Sequence, residues 1–388
     1  MFSQNNTVTK TDYDVIIVGG GLAGLTAAIL LSRSKKRVLL IEKKTYPYHK
    51  VCGEYISNEV LPFLISSGFN PHDFGASKIE ALRISTPSGK NIFSDLDLGG
   101  FGLSRYVMDT ALVKIAVANG AEVLTATRVN EINFQENFFT VQTNSGTTFT
   151  CKLVIGSYGK RDVLDKKLNR SFINKHTGYM GVKYHVKTNY PLNEIGLDNF
   201  QNGYCGIVKI EEDRYNICYL YQREKTNSFG SITELEENIL FKNPQIKNLF
   251  ANATFLEKQP EVINEISFAQ KKLIENHIIM CGDTAGSIVP LCGNGMAMAI
   301  HAAKLLSELI ISTRVLDGTE ISMQDILQLE ERYSKIWQAT FSSRLFWGRQ
   351  LQSIFGNASL TEISIGLLHK IPPIEKWLIS KTHGKMVV

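Results

Sequence analysis

The run Asp14-Val15-Ile16-Ile17-Val18-Gly19-Gly20-Gly21-Leu22-Ala23-Gly24, followed by Val38-Leu39-Leu40-Ile41-Glu42, constrains the fold more than any other stretch of the chain. An apolar run ending in GxGxxG feeds a buried parallel strand into a turn. There Gly19 relieves the φ constraint, Gly21 lets a pyrophosphate approach the backbone, and Gly24 lets the following helix pack on the sheet. The start of that helix, Leu22-Ala23, offers unpaired N–H groups and a partial positive charge to phosphates. Glu42, eighteen residues after Gly24 at the end of the second strand, can accept hydrogen bonds from ribose hydroxyls. Together these parts predict a dinucleotide-binding unit, and from this motif alone both NAD and FAD stay open.

With 388 residues, 44% of them hydrophobic and 20% charged, the chain can bury a substantial core in two or three domains. The net charge of +5 is dispersed, which argues against nucleic acid as a partner. The polar start Met1–Lys10 has no apolar core of signal-peptide type, and no stretch of about eighteen apolar residues is read as a membrane span. A cytoplasmic protein is therefore expected. Six cysteines without CxxC spacing predict reduced thiols and no structural zinc, so no metal is expected.

Thr86-Pro87-Ser88-Gly89 predicts the turn of a hairpin over 79–98, and Ser104 a helix cap for Arg105 to about Ala118. Val129–Ile132, Phe138–Thr143 and Thr147–Cys151 read as an antiparallel meander, with Lys152–Gly156 a separate buried strand. Gly181–Val186, Gly206–Ile210 and Tyr215–Tyr221 suggest a second, antiparallel sheet, with a helix near Ile232–Phe241. A strand at Ile278–Met280 leads into Gly282-Asp283, Pro290 and Gly293-Asn294-Gly295-Met296. That places a carboxylate beside a polyol and a glycine loop at a helix start, which suits a flavin better than a nicotinamide. The expected architecture is α/β: a Rossmann-type FAD-binding domain with parallel sheet and β-meander, an antiparallel-sheet substrate domain and a helical C-terminal region. The first domain takes residues 1–75, 101–165 and 265–315. The substrate domain takes the hairpin 76–100 and residues 166–264, and the C-terminal region takes 316–388.

GxGxxG at 19–24, Glu42, Arg105 and Cys281-Gly282-Asp283-Thr284-Ala285-Gly286 with Pro290 and Gly293-Asn294-Gly295 resemble the FAD-dependent class A monooxygenases. This superfamily has the p-hydroxybenzoate hydroxylase-like fold and also holds the geranylgeranyl reductases and flavin-dependent halogenases. The resemblance implies that Glu42, with Lys43 beside it, binds the adenosine ribose, Arg105 the pyrophosphate region, and Val129 the adenine through its backbone. It implies that Asp283 holds the ribityl chain and that Gly293–Met296 faces the N1/O2 edge of the flavin ring, with NAD(P)H as transient reductant. Two departures stand out. Tyr158 replaces the acid of the hydroxylases' Asp-Gly pair, which puts the reductant's docking in doubt, and the WxWxIP pattern of halogenases is missing. Lys50-Val51-Cys52-Gly53-Glu54 resembles the cysteine-glycine loop of geranylgeranyl reductases, which makes Cys52 and Glu54 candidate active-site contacts. Cys292 lies in the other flavin-side loop, and a redox-sensitive pairing of Cys52 with Cys292 is a further expectation.

The favoured reaction is NAD(P)H-supported monooxygenation of a small apolar or aromatic molecule. The alternatives are ene-reduction of an isoprenoid lipid and a non-enzymatic lipid carrier on the same fold. Tyr215, Tyr219 and Tyr221 share one strand face, where core packing is expected over a cavity lining. The histidines 49, 176, 185 and 301 are read as structural. Leu360–Ile379, with Pro372-Pro373 and Trp377 among lysines, leaves peripheral membrane contact open, and the oligomeric state has no signature.

Overall fold

The computed structural model describes residues 11–174, 176–223, 229–355, 360–362, 364 and 384–388. Most of the apolar tail 360–379, including Pro372, Pro373 and Trp377, lies outside the described residues, as does the polar start 1–10.

The first sheet grows from the opening run. Tyr13–Val18 pairs in parallel with Val38–Ile41 on one side and with Thr148–Gly156 on the other. Glu122–Leu124 extends the sheet beyond Val38–Ile41, and Ile278–Met280 lies in parallel beside Thr148–Gly156. Val15 to Ile17 are fully buried, as a strand covered on both faces must be. Helices Leu22–Arg33, Arg105–Ala118 and Gly295–Thr313 contribute Leu25, Leu112 and Leu306 to the same core. Among the described residues Gly295–Thr313 is a helix long and apolar enough to cross a membrane, contrary to expectation, although about half of it is buried inside this protein. Its small residues Ala297, Ala302 and Ala303 are fully packed at 0–2% exposure, which explains the apolar composition as core.

The meander is present, but Thr148–Gly156 is one strand where two were expected. Its first half pairs antiparallel with Phe138–Thr143, and its second half enters the parallel sheet. The change from exposed and half-buried residues 148–150 to continuous burial from Cys151 onward marks that passage.

The second sheet carries Ser77–Ser85 and Asn91–Gly102 as the expected hairpin, with Gly89 at φ +88° in its turn. Tyr179–Lys187, Gly203–Lys209 and Tyr215–Gln222 run antiparallel in it. Four strands differ from expectation, among them Thr254–Phe255 and Glu261–Asn264, which both pair antiparallel with Tyr179–Lys187. Glu194–Phe200 bridges the hairpin and the antiparallel strands, pairing in parallel with Ser77–Ser85. Tyr55–Ser57, inside the stretch 1–75 assigned to the first domain, pairs with Asn91–Gly102 of the second sheet. Tyr215, Tyr219 and Tyr221 form core with Phe200, Leu235 and Leu249, as their shared face suggested. A 33-residue helix, Met323–Phe355, supplies the C-terminal region and packs Tyr333 and Phe341 into the main core.

Candidate flavin site

A cavity of about 590 Å³ runs from the C-terminal ends of the parallel strands across one face of the second sheet. Its volume falls in the range of ligand sites. Of the residues singled out in the sequence, Gly19, Gly21, Ala23, Glu42, Lys43, Arg105 and Val129 line one end. Gly282, Asp283, Cys292, Gly293, Gly295 and Met296 line its middle, opposite Cys52 and Glu54.

The glycines show what this wall is shaped for. Gly19 sits at φ +107°, and a Cβ there would lie 2.5 Å from the Ser157 carbonyl oxygen. On Gly24 it would lie 2.0 Å from the Gly19 carbonyl oxygen, so this glycine seats the helix on the turn and does not itself face the cavity. Around Gly21 the space is open, the nearest atom being Arg105 Nη2 at 4.0 Å from such a Cβ. Gly21 caps helix Leu22–Arg33 without any side-chain hydrogen bond, so the helix start is left for an anion. The second motif packs on the first: a Cβ on Gly282 would lie 2.8 Å from that of Ala23.

The charged groups are held in place before any ligand arrives. The Glu42 carboxylate accepts from Gly20 N at 2.7 Å and Lys44 N at 3.0 Å, which ties the strand end to the glycine turn. Lys43 turns outward to Asp162 at 2.6 Å. Arg105 donates from Nε and Nη2 to the two oxygens of Asp109, both at 2.8 Å, and Lys50 Nζ reaches the same carboxylate at 2.8 Å. Burial pushes the Asp109 carboxyl up, but Arg105 and Lys50 outweigh it and hold it below the ordinary range.

Glu54 is fully buried at φ +56°. It accepts from Lys183 Nζ at 2.6 Å, His185 Nε2 at 2.7 Å and Arg105 N at 2.9 Å. Burial would raise its carboxyl, yet Lys183 and His185 draw it down to about 2. Glu54 is thus an ionised anchor for the loop and a poor general acid. Of the two candidate contacts in this loop, Glu54 holds the loop in place. Cys52, two residues earlier, sits 3.4 Å from Met296 Sδ. Cys52 and Cys292 line the same cavity and both are free thiols, so the expected pairing is not formed. Burial raises the Cys292 thiol to about 12, which removes it as a nucleophile at neutral pH.

Asn294 departs from expectation. Its side chain donates to Glu59 at 3.2 Å, and it does not line the cavity. Glu59 is itself fully buried and accepts from Arg344 of the C-terminal helix at 3.0 Å. The glycine loop is therefore braced from behind by the helical region. His176 is exposed and His301 packs against Phe341, in line with structural roles. Glu59 and Arg344 carry no local sequence signal, whereas the i,i+4 spacing of Arg105 and Asp109 could have revealed their pairing.

These features fit FAD: an uncapped helix start for its phosphates, a fixed acid, Glu42, at the ribose end, Asp283 on the cavity wall, and a glycine loop at a second helix start. The comparisons agree. The chain belongs to the FAD binding domain family, whose match spans residues 12–320, and it is an FAD-dependent oxidoreductase. It is 25% identical over 346 residues to the digeranylgeranylglycerophospholipid reductase of Methanosarcina acetivorans, covering 85% of this chain and 82% of that protein. A geranylgeranyl bacteriochlorophyll reductase-like structure from Thermoplasma acidophilum superposes with a TM-score of 0.74 at 18% identity, covering 95% of this chain and 99% of that one. The flavin-dependent brominase Bmp2 has the same fold, with a TM-score of 0.75 at 16% identity over 95% and 93% of the two chains.

Proposed function

We propose that this enzyme reduces carbon–carbon double bonds in a long apolar, isoprenoid-type substrate. The observation that carries the reading is the character of the cavity beyond the flavin loops. There the wall is Leu82, Ile84, Ile195, Leu197, Val208, Leu220 and Ile263 from the second sheet, with Leu291 from the flavin-side loop. Such a lining binds a hydrocarbon chain by area and offers little to orient the hydroxyl or carboxylate of an aromatic hydroxylase substrate. Hydroxylation of an apolar molecule is the second reading. The intact Glu42 and Gly282-Asp283 segments count against a carrier without flavin chemistry.

When bound, reduced FAD would supply the hydride that alkene reduction needs, and the second hydrogen would arrive as a proton from solvent. This chain's residues hold and shield the reactants. The uncapped start of helix Leu22–Arg33, with Arg105, holds the anionic end. The start of helix Gly295–Thr313 sets amide dipoles against charge that develops on the reduced cofactor. Cys52, backed by the Glu54 anchor, closes the opposite side, and the apolar wall excludes water from the reacting carbons. NAD(P)H is kept as the proposed reductant, and placement beside a membrane surface is kept as part of the lipid reading.

The test is anaerobic turnover of dithionite-reduced enzyme with geranylgeraniol, read by mass spectrometry. Products heavier by two hydrogens per double bond are expected. Product that forms only with oxygen and carries one added oxygen atom overturns the reading in favour of hydroxylation. NADPH consumption under the same anaerobic conditions tests the reductant separately.

A further inference from the structure

Behind the Cys52 loop lies a cluster that flavin chemistry does not use. His49 on the loop, His185 on strand Tyr179–Lys187 and Glu257 in the turn after Thr254–Phe255 each bring one ligand-type atom within 4.8 Å of the others. Among the described residues this is the one group of three or more such side chains so arranged. We infer that these residues form a binding site for a divalent transition ion of the zinc class, which clamps the Cys52 loop onto the second sheet.

Three independent observations point to a cation. The first is the placement of His185. Its Nε2 lies 2.7 Å from Glu54 Oε2. Its Nδ1 faces Glu257 Oε1 at 3.6 Å, outside hydrogen-bond distance. A histidine that donates one ring N–H to a buried carboxylate and turns its other nitrogen outward is the usual arrangement of a metal-ligating imidazole. The second is His49. Its Nδ1 is buried without a hydrogen-bond partner. The third is the relation of the two rings. Their centroids lie 5.1 Å apart with an interplanar angle of 77°. Two imidazoles bound at about 2.0–2.1 Å to a tetrahedral ion have centroids about 5 Å apart.

Charge balance permits the ion. The nearby Lys183 ammonium is neutralised by Glu54 at 2.6 Å. Glu257 supplies the one carboxylate of the ligand set, beside two imidazoles. The span of 4.8 Å exceeds the edge of a zinc tetrahedron, about 3.4 Å. Glu257, with its side chain 40% exposed, is the ligand that closes the difference. Three protein ligands leave a fourth position for water. The site escapes sequence reading because its members lie at 49, 185 and 257, far from any zinc-motif spacing.

The inference does not depend on the reaction proposed above, and its test reads no turnover. FAD-loaded protein is dialysed against zinc chloride, and bound zinc and affinity are measured by mass spectrometry and calorimetry. One zinc per chain is expected for the unsubstituted protein, with binding at least tenfold weaker in His49→Gln and in Glu257→Gln. Flavin absorbance verifies that both variants remain folded. His277→Gln, whose ring contacts Glu330 elsewhere, is expected to bind zinc unchanged. The inference is overturned if the protein takes up no stoichiometric zinc, if either ligand variant keeps full affinity, or if Cys52→Ser abolishes binding, which would assign the ion to thiols.

Discussion

The Asp109 carboxylate holds two cations, Arg105 and Lys50, beside the place where the cofactor's phosphates are expected. Its side chain is only 2% exposed, and it makes three charge-assisted hydrogen bonds of 2.8 Å. Asp109→Asn keeps the shape and removes the charge. Breaking a buried ion pair by removing one partner costs about 3–5 kcal/mol, because the other partner stays buried and uncompensated. The asparagine oxygen keeps one acceptor, and Lys50, 22% exposed, can turn toward water, so the low end, about 3 kcal/mol, is expected for the FAD-free protein.

FAD binding should respond in the opposite direction. The carboxylate repels any dianion placed at the glycine turn. One unit of charge within about 10 Å of a dianion accounts for on the order of 1–2 kcal/mol after screening at an effective dielectric near 20. Asp109→Asn is therefore expected to unfold at lower urea without FAD and yet to bind FAD about five- to thirtyfold more tightly. Cofactor-stripped protein, urea titration and quenching of FAD fluorescence measure the two quantities independently. If the variant binds FAD several-fold more weakly while its FAD-free stability is unchanged, the reasoning fails. Asp109 would then serve to aim Arg105, and its charge would be incidental.

Burial draws the Lys271 ammonium down to about 8, against the pull of Asp283 and Asp165, while it donates to the carbonyls of Lys160 and Asp283. Between about 8 and the ordinary 10.5 the unfolded chain binds more protons at this site, so its contribution to stability rises with pH across that window, by about 3 kcal/mol in full. Urea midpoints of the parent and Lys271→Met should converge or cross in the parent's favour from pH 8 to 10.5, and parallel pH profiles would contradict the assignment. Glu59→Gln leaves Arg344 without its counter-charge and loosens Asn294, so about 3 kcal/mol of stability and a measurable loss of FAD affinity are expected together. Loss of stability with FAD affinity intact would mean that the C-terminal helix does not support the flavin loop.

What could be read from the sequence follows from how local the physics is. The glycine turn, the hairpin at Thr86–Gly89 and the Ser104 cap, which accepts from Val107 N at 3.2 Å, are each decided within a few residues. Strand Glu194–Phe200 is the opposite case. Its Asp198 and Asn199 look like loop residues, yet they are 1% and 0% exposed. Asp198 is held by Arg83 at 2.7 and 2.9 Å and by Ser85 at 2.6 Å, and Asn199 donates to the Ser85 carbonyl. A buried polar network on a neighbouring strand hides a strand from any hydropathy pattern. Helix Pro244–Ala251 was missed although Asn243 caps it locally, because its eight residues hold only one short apolar stripe. In the site, the cofactor end was legible because backbone turns demand glycine, whereas the anchors Lys183, His185 and Arg344 come from strands and helices more than a hundred residues from their partners.

The same division explains how one loop can serve both polar and apolar neighbours. On one side, Lys50 and Glu54 are committed to the Arg105, Asp109, Lys183 and His185 network, where every charge has an opposite within 2.9 Å. On the other, Cys52 and Gly53 present only a thiol and bare backbone to the cavity. Lys50 and Glu54 also line the cavity, but as paired ions, and an unpaired one would lower affinity for an apolar ligand by several kcal/mol. Gly53 has nothing within 4 Å of a would-be Cβ, so its smallness serves no packing contact among the described residues and leaves space on the cavity side. A loop anchored by buried ions and faced with small groups would suit the bulky apolar substrate proposed above.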